Sequence, residues 1–390
     1  MVLFCEVNKT GLEHATVNKQ MLRLLGRAFP SETIHARVSE THWEAISESV
    51  KGYDVVPFFE RVVSPEKGNK WRWIVKLLSE CKRDFLMLRY AQRQQATLVF
   101  FASSSPVGNL FVSLLSKFLF KRCKVVVTLH GELQLLRMRE GKYVDKVYVT
   151  CLRKAFSMKL PGRRYLLLDK YIRDRLLDYR LMPAENMMAI RHPLTYGGDM
   201  HHPHQLRHGI VFGHLGVAKL EKRSPMFFEL AARFQAAVSE GMASFVVAGQ
   251  LLDDMRPFTN SWVEYSHDDK LLSHADYLVR CAGMHYAVFF YDDEGYELIS
   301  SGTIMDAISL EIPIIAFRNR YFTHFFEQCE IPPGILCENT DEFYKVVDKI
   351  ITTDEYDYAR MKLGMQLLKQ KFDLGQIQAD FSSQLVGFLN

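Results

Sequence analysis

Residues 289–317, FFYDDEGYELISSGTIMDAISLEIPIIAF, decide how this chain is read. The apolar run Ala287–Tyr291 predicts a buried strand, and the polar loop after it closes on Ser300, Ser301, Gly302 and Thr303. Ile304–Leu310 has helical spacing, and beyond Pro313 the run Ile314–Phe317 predicts a second strand. Ser and Thr at a helix start accept hydrogen bonds from free backbone N–H groups, while glycine lets a ligand come close to the backbone. With the helix dipole behind them, such N–H groups bind anions, and a diphosphate suits them well. The competing reading is that Ser301 merely caps its helix.

Outward from this stretch, the composition sets the frame. A chain of 390 residues exceeds one ordinary domain, so two are expected. With 48% hydrophobic and 24% charged residues it is globular. Cysteines 5, 81, 123, 151, 281, 329 and 337 form no C-x-x-C pair. That argues against a zinc site or a disulfide framework and for a reduced, cytoplasmic setting. The opening MVLFCEV is too short for a signal peptide, and no apolar run of about 18 residues predicts a membrane span.

The net charge of +4 conceals an asymmetry. Residues 1–200 hold about 33 Lys and Arg against about 19 Asp and Glu, roughly +14, which leaves the remainder at roughly −10. In the basic half, cations interleave with apolar side chains at Lys70-Trp71-Arg72-Trp73-Ile74-Val75-Lys76, Lys117-Phe118-Leu119-Phe120-Lys121-Arg122 and Arg163-Arg164-Tyr165. Such mixtures suit an anionic membrane surface and a peripheral association. Nucleic acid is the rival partner, but no nucleic-acid motif accompanies the charge; solvated faces over a core are the plain alternative.

Short apolar runs alternate with helical stretches along the whole chain. In the first half the expected strands are Val2–Val7, Thr33–Val38, Val55–Phe58, Thr97–Ala102, Lys124–Leu129, Arg164–Leu168 and Met187–Ile190. Helices are expected over Val17–Ala28, Trp71–Arg93, Leu110–Phe120 and Lys170–Tyr179. Residues 196–208, rich in Gly, Pro and His, read as a linker, and His201, His202, His204 and His208 have no standard metal-site spacing. The pattern then restarts, with strands at Gly209–Phe212, Ser244–Ala248, Trp262–Tyr265 and Gly334–Glu338. Helices follow at Ser224–Ala237, Asp268–Ala275 and Thr340–Thr352. Strands alternating with helices mean parallel sheets, hence an α/β fold of two Rossmann-like parallel-sheet domains facing across a cleft. The expected domains are 1–195, basic and acceptor-side, and 209–372, nucleotide-sugar-binding. A C-terminal helix at 373–390 is expected to pack back on the first.

The second half resembles the nucleotide-sugar-binding domain of GT-B glycosyltransferases, specifically the retaining family-four group used in bacterial polysaccharide synthesis. Gly213-His214-Leu215 with Lys219 or Lys222 resembles its G-R-L…K-G segment, and Val246-Val247-Ala248-Gly249 its V-V-G strand end. Asp306-Ala307-Ile308-Ser309-Leu310-Glu311-Ile312-Pro313-Ile314-Ile315-Ala316 is similar to E-A-M-A-x-G-x-P-V-I-A. The chain departs from the pattern where E-x7-E would place its first Glu, which is Leu298, and where the arginine of G-R-L is His214. Tyr296–Gly302 instead resembles a Y-x-x-x-S-G loop of a polysaccharide-making branch.

The resemblance implies a glycosyltransferase that moves a sugar from a nucleoside diphosphate, UDP in preference to GDP, to a glycan or lipid-linked glycan. It implies retention and no cofactor beyond the substrate nucleotide sugar. The diphosphate would be held by Ser300, Ser301, Gly302, Thr303, His214, Lys219, Lys222 and Arg223. Asp306, Glu294, Glu297 and Tyr296 would hold ribose or sugar. His130, directly after a strand, would lie over the donor sugar, and Gly11, Glu13, His14 and Glu132 would face the acceptor. With no D-x-D motif placed for a metal, Lys222, Arg223 or Lys219 and the helix N-terminus are expected to neutralise the leaving diphosphate. A sugar-nucleotide epimerase and a non-catalytic partner subunit share the fold and stay open as readings.

Overall fold

The computed structural model describes residues 1–62, 70–137, 143–194, 209–266, 274–353 and 355–390. The histidine-rich linker therefore lies outside the described residues. The rest divides into two compact units. The first holds Met1–Pro193, Leu298–Ser300 and Leu374–Asn390, and the second Leu194–Glu297 and Ser301–Asp373.

The first unit runs β1 (Val2–Cys5), α1 (Ala15–Ala28), β2 (Ile34–Val38), α2 (Glu40–Ile46), β3 (Val55–Phe59), α3 (Lys70–Arg93), β4 (Leu98–Phe101) and α4 (Pro106–Phe118). It continues with β5 (Val125–Leu129), α5 (Tyr143–Ser157), β6 (Arg163–Leu167), α6 (Lys170–Asp178) and β7 (Met187–Ala189). Among the described residues its strands form one parallel sheet in the order β3-β2-β1-β4-β5-β6-β7. Val2–Cys5, Leu98–Phe101 and Val125–Leu129 are buried at every position, as strands covered on both faces must be. Helix α4 starts four residues ahead of the expected Leu110. The Ser105 Oγ accepts the Gly108 N–H at 3.0 Å and Pro106 fits the first turn, so the capping residues, not the apolar period, set its start.

The second unit runs β8 (Ile210–His214), α7 (Pro225–Arg233), α8 (Gln235–Ser239), β9 (Ala243–Val247), β10 (Val263–Glu264), α9 (His274–Ala282) and β11 (Tyr286–Phe289). Then come α10 (Asp293–Tyr296), α11 (Gly302–Ser309), β12 (Ile314–Phe317), α12 (Arg320–Glu327), β13 (Gly334–Cys337), α13 (Thr340–Thr352) and α14 (Tyr358–Gln370). Its parallel sheet has the order β10-β9-β8-β11-β12-β13 among the described residues. The single helix expected over Ser224–Ala237 breaks at Phe234, whose N–H is shared between the Leu230 and Ala231 carbonyls. The helix expected at Asp268–Ala275 falls largely on residues outside the description; α9 begins at His274.

The last helix, α15 (Leu374–Leu389), belongs to the first unit, where it buries Ile377, Phe381, Leu385 and Phe388 in the core that also holds Leu24 and Leu25 of α1. Gln384 exchanges hydrogen bonds with the Ala189 backbone at 2.9 Å.

Burial corrects one of the basic segments. Arg163 is fully buried: it donates to the Ala155 carbonyl at 3.0 Å, the Met158 carbonyl at 2.9 Å and the Ser113 hydroxyl, and stacks over Tyr165. A guanidinium spends its donors well on carbonyls at helix ends, so Arg163 and Tyr165 form part of the core rather than a surface. Trp73 is half-buried and donates to the Tyr148 hydroxyl at 2.8 Å.

Both sheets reverse direction once. In the first, β1 leads outward to β2 and β3, and the chain returns to β4 on the other side; in the second, β8 leads to β9 and β10 and returns to β11. Ligands in open parallel sheets bind at the carboxyl ends of the strands flanking such a switch point.

Candidate functional site

In the second unit the switch point lies between β8 and β11. The segment after β8 turns sharply at Gly216, φ +72°, where a Cβ would lie 2.4 Å from the Thr303 methyl and 3.3 Å from the Lys222 ammonium. A Cβ on Gly249, just past β9, would strike the Gly216 backbone at 2.1 Å. Two glycines thus let two loops close together directly beside the start of α11.

That start is open. Ser301 stands at the N-cap with φ −80° and ψ 115°, but its side chain makes no capping bond; its Oγ lies 3.0 Å from Thr303 Oγ1. Thr303 Oγ1 in turn meets the Tyr291 hydroxyl at 3.0 Å. The Ile304 and Met305 N–H groups fold back on the Ser301 carbonyl, whereas those of Gly302 and Thr303 have no partner among the described residues. The hydroxyls bond to each other and leave the amides free, so capping by Ser301 does not account for the motif.

Lys222 completes the arrangement. It ends a short 3-10 turn, is 8% exposed, and among the described residues its Nζ reaches only the Leu215 carbonyl, at 3.5 Å. No carboxylate lies within 4.0 Å of it among the described residues. A buried ammonium without a counter-charge is costly, and an anion against it removes the cost. His214 sits beneath, its Nε2 2.8 Å from the Ser224 hydroxyl, which also accepts the Lys219 N–H. Burial, helped by the Lys222 charge, lowers the imidazole pKa to about 3, so His214 is neutral here. Lys219 and Arg223 stand further out, near Glu221 (4.0 Å) and Asp292 (3.8 Å), and Arg223 lies over the Phe317 ring.

The expected ribose and sugar residues divide. Asp306, on α11, accepts the Tyr277 hydroxyl at 2.6 Å. Glu297 is buried and paired with Arg320 at 3.2 Å, and Tyr296 stacks on Tyr291 with ring centroids 3.9 Å apart. The side chain of Glu294 lies outside the described residues. Ser300 is grouped with the first unit, unlike its neighbours Ser301–Thr303. Asp292 and Asp293 act as helix-start acceptors for Gly295 and Arg320 N–H groups at 2.7 and 2.8 Å.

In the first unit the switch point between β1 and β4 opens into a cavity of about 370 Å³. Asn8 and Lys9 follow β1, Ser103–Pro106 follow β4, and His130, Gly131 and Glu132 follow β5; His14, Lys76 and Glu80 complete it. His130 donates from Nε2 to the Ala102 carbonyl at 2.8 Å. The His14 ring packs 4.3 Å from it, at a left-handed φ of +56°. Burial, with His130 and Lys9 adding to it, lowers the His14 pKa to about 2, and burial raises that of Glu132.

Of the other acceptor-side residues, Glu13 is exposed and pairs with Lys9 at 3.4 Å, while Gly11 holds the loop through Thr41 and His42. Neither lines the cavity. The sequence reading missed Asn8, Ser103–Ser105 and Glu80. The run Ser-Ser-Ser-Pro-Val-Gly could have signalled a capped helix start at a strand end, whereas Glu80 looks like any solvated helix residue until α3 is packed.

No protein-family model and no curated protein matches the sequence. Solved structures do match. Anabaena HepE in complex with UDP and glucose is 12% identical over 99% of each chain, with a TM-score of 0.66. WaaG, a glycosyltransferase involved in lipopolysaccharide biosynthesis, is 11% identical over 99% of this chain and 100% of that one, with a TM-score of 0.62. A UDP-N-acetylglucosamine 2-epimerase is 13% identical over 93% of this chain and 90% of that one, with a TM-score of 0.55. At these identities the likeness is one of architecture, and the architecture is the GT-B fold of two Rossmann-like parallel-sheet domains in one chain.

Proposed function

We propose that the chain is a glycosyltransferase that moves a sugar from a nucleoside diphosphate, UDP in preference to GDP, to a glycan or lipid-linked glycan. One observation carries the reading: at the β8–β11 switch point the free Gly302 and Thr303 amides stand beside a buried, uncompensated Lys222. A diphosphate is the substrate group whose charge and size satisfy both. Charge building on the leaving diphosphate is met by the Lys222 ammonium and the helix amides, without a metal. Asp306 is assigned the ribose hydroxyls. Retention at the anomeric carbon and a family-four assignment are proposed from the resemblance in residues 210–317. The UDP complex of the similar HepE supports the choice of nucleotide.

Calorimetric titration with UDP and GDP tests this. Binding of UDP that is lost in Lys222→Ala is the expected result; no nucleotide binding by the unaltered chain refutes it. The epimerase reading draws on the similar 2-epimerase, and turnover of a UDP-sugar without any acceptor would favour it.

We further propose peripheral attachment of the first unit to an anionic membrane surface on the cytoplasmic side. Ile74, Val75 and Leu78 near the start of α3 are exposed, and so, separately, are Phe118 and Leu119 at the end of α4, next in sequence to the exposed Lys117, Lys121 and Arg122. No described helix is long and apolar enough to cross a membrane. Binding to anionic vesicles that weakens with salt is expected; salt-independent or absent binding removes this part.

A further inference from the structure

We infer that the cavity at the β1–β4 switch point is a subsite for one uncharged sugar ring held through its hydroxyls, with the Glu80 carboxylate keeping anionic groups out. The ligand class rests on the sugar-transfer reading above; the selectivity rests on the cavity's own atoms.

Helix α4 begins at this cavity, and an open helix N-terminus there would draw a phosphate. The position is already taken. The Ser105 N–H donates to Glu80 Oε1 at 2.8 Å, and Asn8 Nδ2 donates to the same oxygen at 2.9 Å. The backbone is shaped around that carboxylate. A Cβ on Gly108 would lie 2.5 Å from Glu80 Oε1 and 2.6 Å from Ser104 Oγ, so only glycine leaves the space.

Glu80 is fully buried, yet its second oxygen, Oε2, has no partner among the described residues. Two further acceptors on the same cavity, Asn8 Oδ1 and Glu132 Oε1, are buried and unpaired as well. Buried acceptors left without donors are costly, so the missing partner is a ligand that brings O–H or N–H groups. Lys9 and Lys76 line the same cavity and offset its negative charge, which disfavours a cationic ligand. Sugar hydroxyls both donate, to the three oxygens, and accept, from the lysines and the Ser105 hydroxyl. A volume of about 370 Å³ takes one such ring with its bound water rather than a long chain. A phosphate or carboxylate group brings only acceptors to the unpaired Glu80, Asn8 and Glu132 oxygens and satisfies none of them.

The test uses the full chain and two series of probes. The neutral series is methyl α-glucopyranoside, methyl α-mannopyranoside and methyl α-galactopyranoside; the charged series is methyl glucuronide and glucose 6-phosphate. Binding is read by ligand-observed NMR, and UDP binding is measured in parallel. At least one neutral glycoside should bind, about tenfold or more tighter than either charged probe. Glu80→Gln should weaken the neutral glycoside about tenfold and narrow the gap to the charged probes, with UDP affinity unchanged. That narrowing is a change which loss of structure alone would not produce. If Glu80→Gln fails to fold by circular dichroism, Gly108→Ala, which displaces the same carboxylate, serves in its place and should give the same narrowing. Charged probes binding as tightly as neutral ones, or selectivity that survives both substitutions, overturns the inference. If UDP binds but no neutral glycoside does, the inference falls and the donor assignment stands. If neutral glycosides bind selectively but UDP does not, the donor assignment falls alone.

Discussion

The two sheets end in sites that share a plan and differ in charge. Each has a switch point, a helix starting beside it, and a serine at that helix's N-cap. At α4 the serine caps, a buried glutamate fills the N-terminus, and the open valences left over are acceptors. At α11 the serine does not cap, two amides are free, and the nearest buried charge is an ammonium. The helix dipole is the same in both; the side chain delivered to it decides whether the place welcomes an anion or repels one.

The largest test of that contrast is Lys222→Ala. It should weaken UDP by about 100-fold, a loss of roughly 3 kcal/mol, when measured by calorimetry. Lys222→Met should raise the melting temperature of the unliganded protein, because it removes a buried charge without a partner. A variant that loses both affinity and stability would mean that Lys222 is structural. Next, Gly216→Ala should cost about 2 kcal/mol in denaturant unfolding and impair UDP binding, since φ +72° and the Thr303 contact both oppose a Cβ.

The third test is of pH. The His214 pKa is lowered from 6.5 to about 3 on folding, so between these values the unfolded chain binds the extra proton and stability is lost as pH falls. Relative to His214→Asn, the parent should lose about 1.4 kcal/mol per pH unit on acidification below about 6.5, read from urea midpoints at several pH values. A constant difference between the two proteins would show that His214 is not neutral in the fold. The smallest test compares the caps. Ser105→Ala should cost about 1 kcal/mol and Ser301→Ala only a few tenths, because only Ser105 accepts an N–H of its own helix. Equal losses would erase the distinction between the two helix starts.

Much of the fold was legible in the residues. Val2–Cys5, Leu98–Phe101 and Ile314–Phe317 are continuous apolar runs because both faces of a parallel strand are buried, and that pattern needs no partner to be read. The start of α11 at Ser301–Gly302 was also legible, since hydroxyls and a glycine stand directly before a helical period. The first unit's cavity was not. Glu80 lies 26 residues before Pro106 in the chain, and only the packing of α3 against α4 brings its carboxylate to the α4 N-terminus. The same holds for Arg163, written as a surface cation and found in the core.

By itself, then, the sequence determined the alternation of strands and helices, the two-domain plan, and the helix start at residues 301–303. All of these follow from local periodicity and local backbone chemistry. Tertiary structure alone decided which charges are buried and what each faces, because desolvation and pairing depend on neighbours far along the chain. That is why the helix start could be expected from residues 301–303, whereas the acceptor-lined cavity at the first switch point had to be seen.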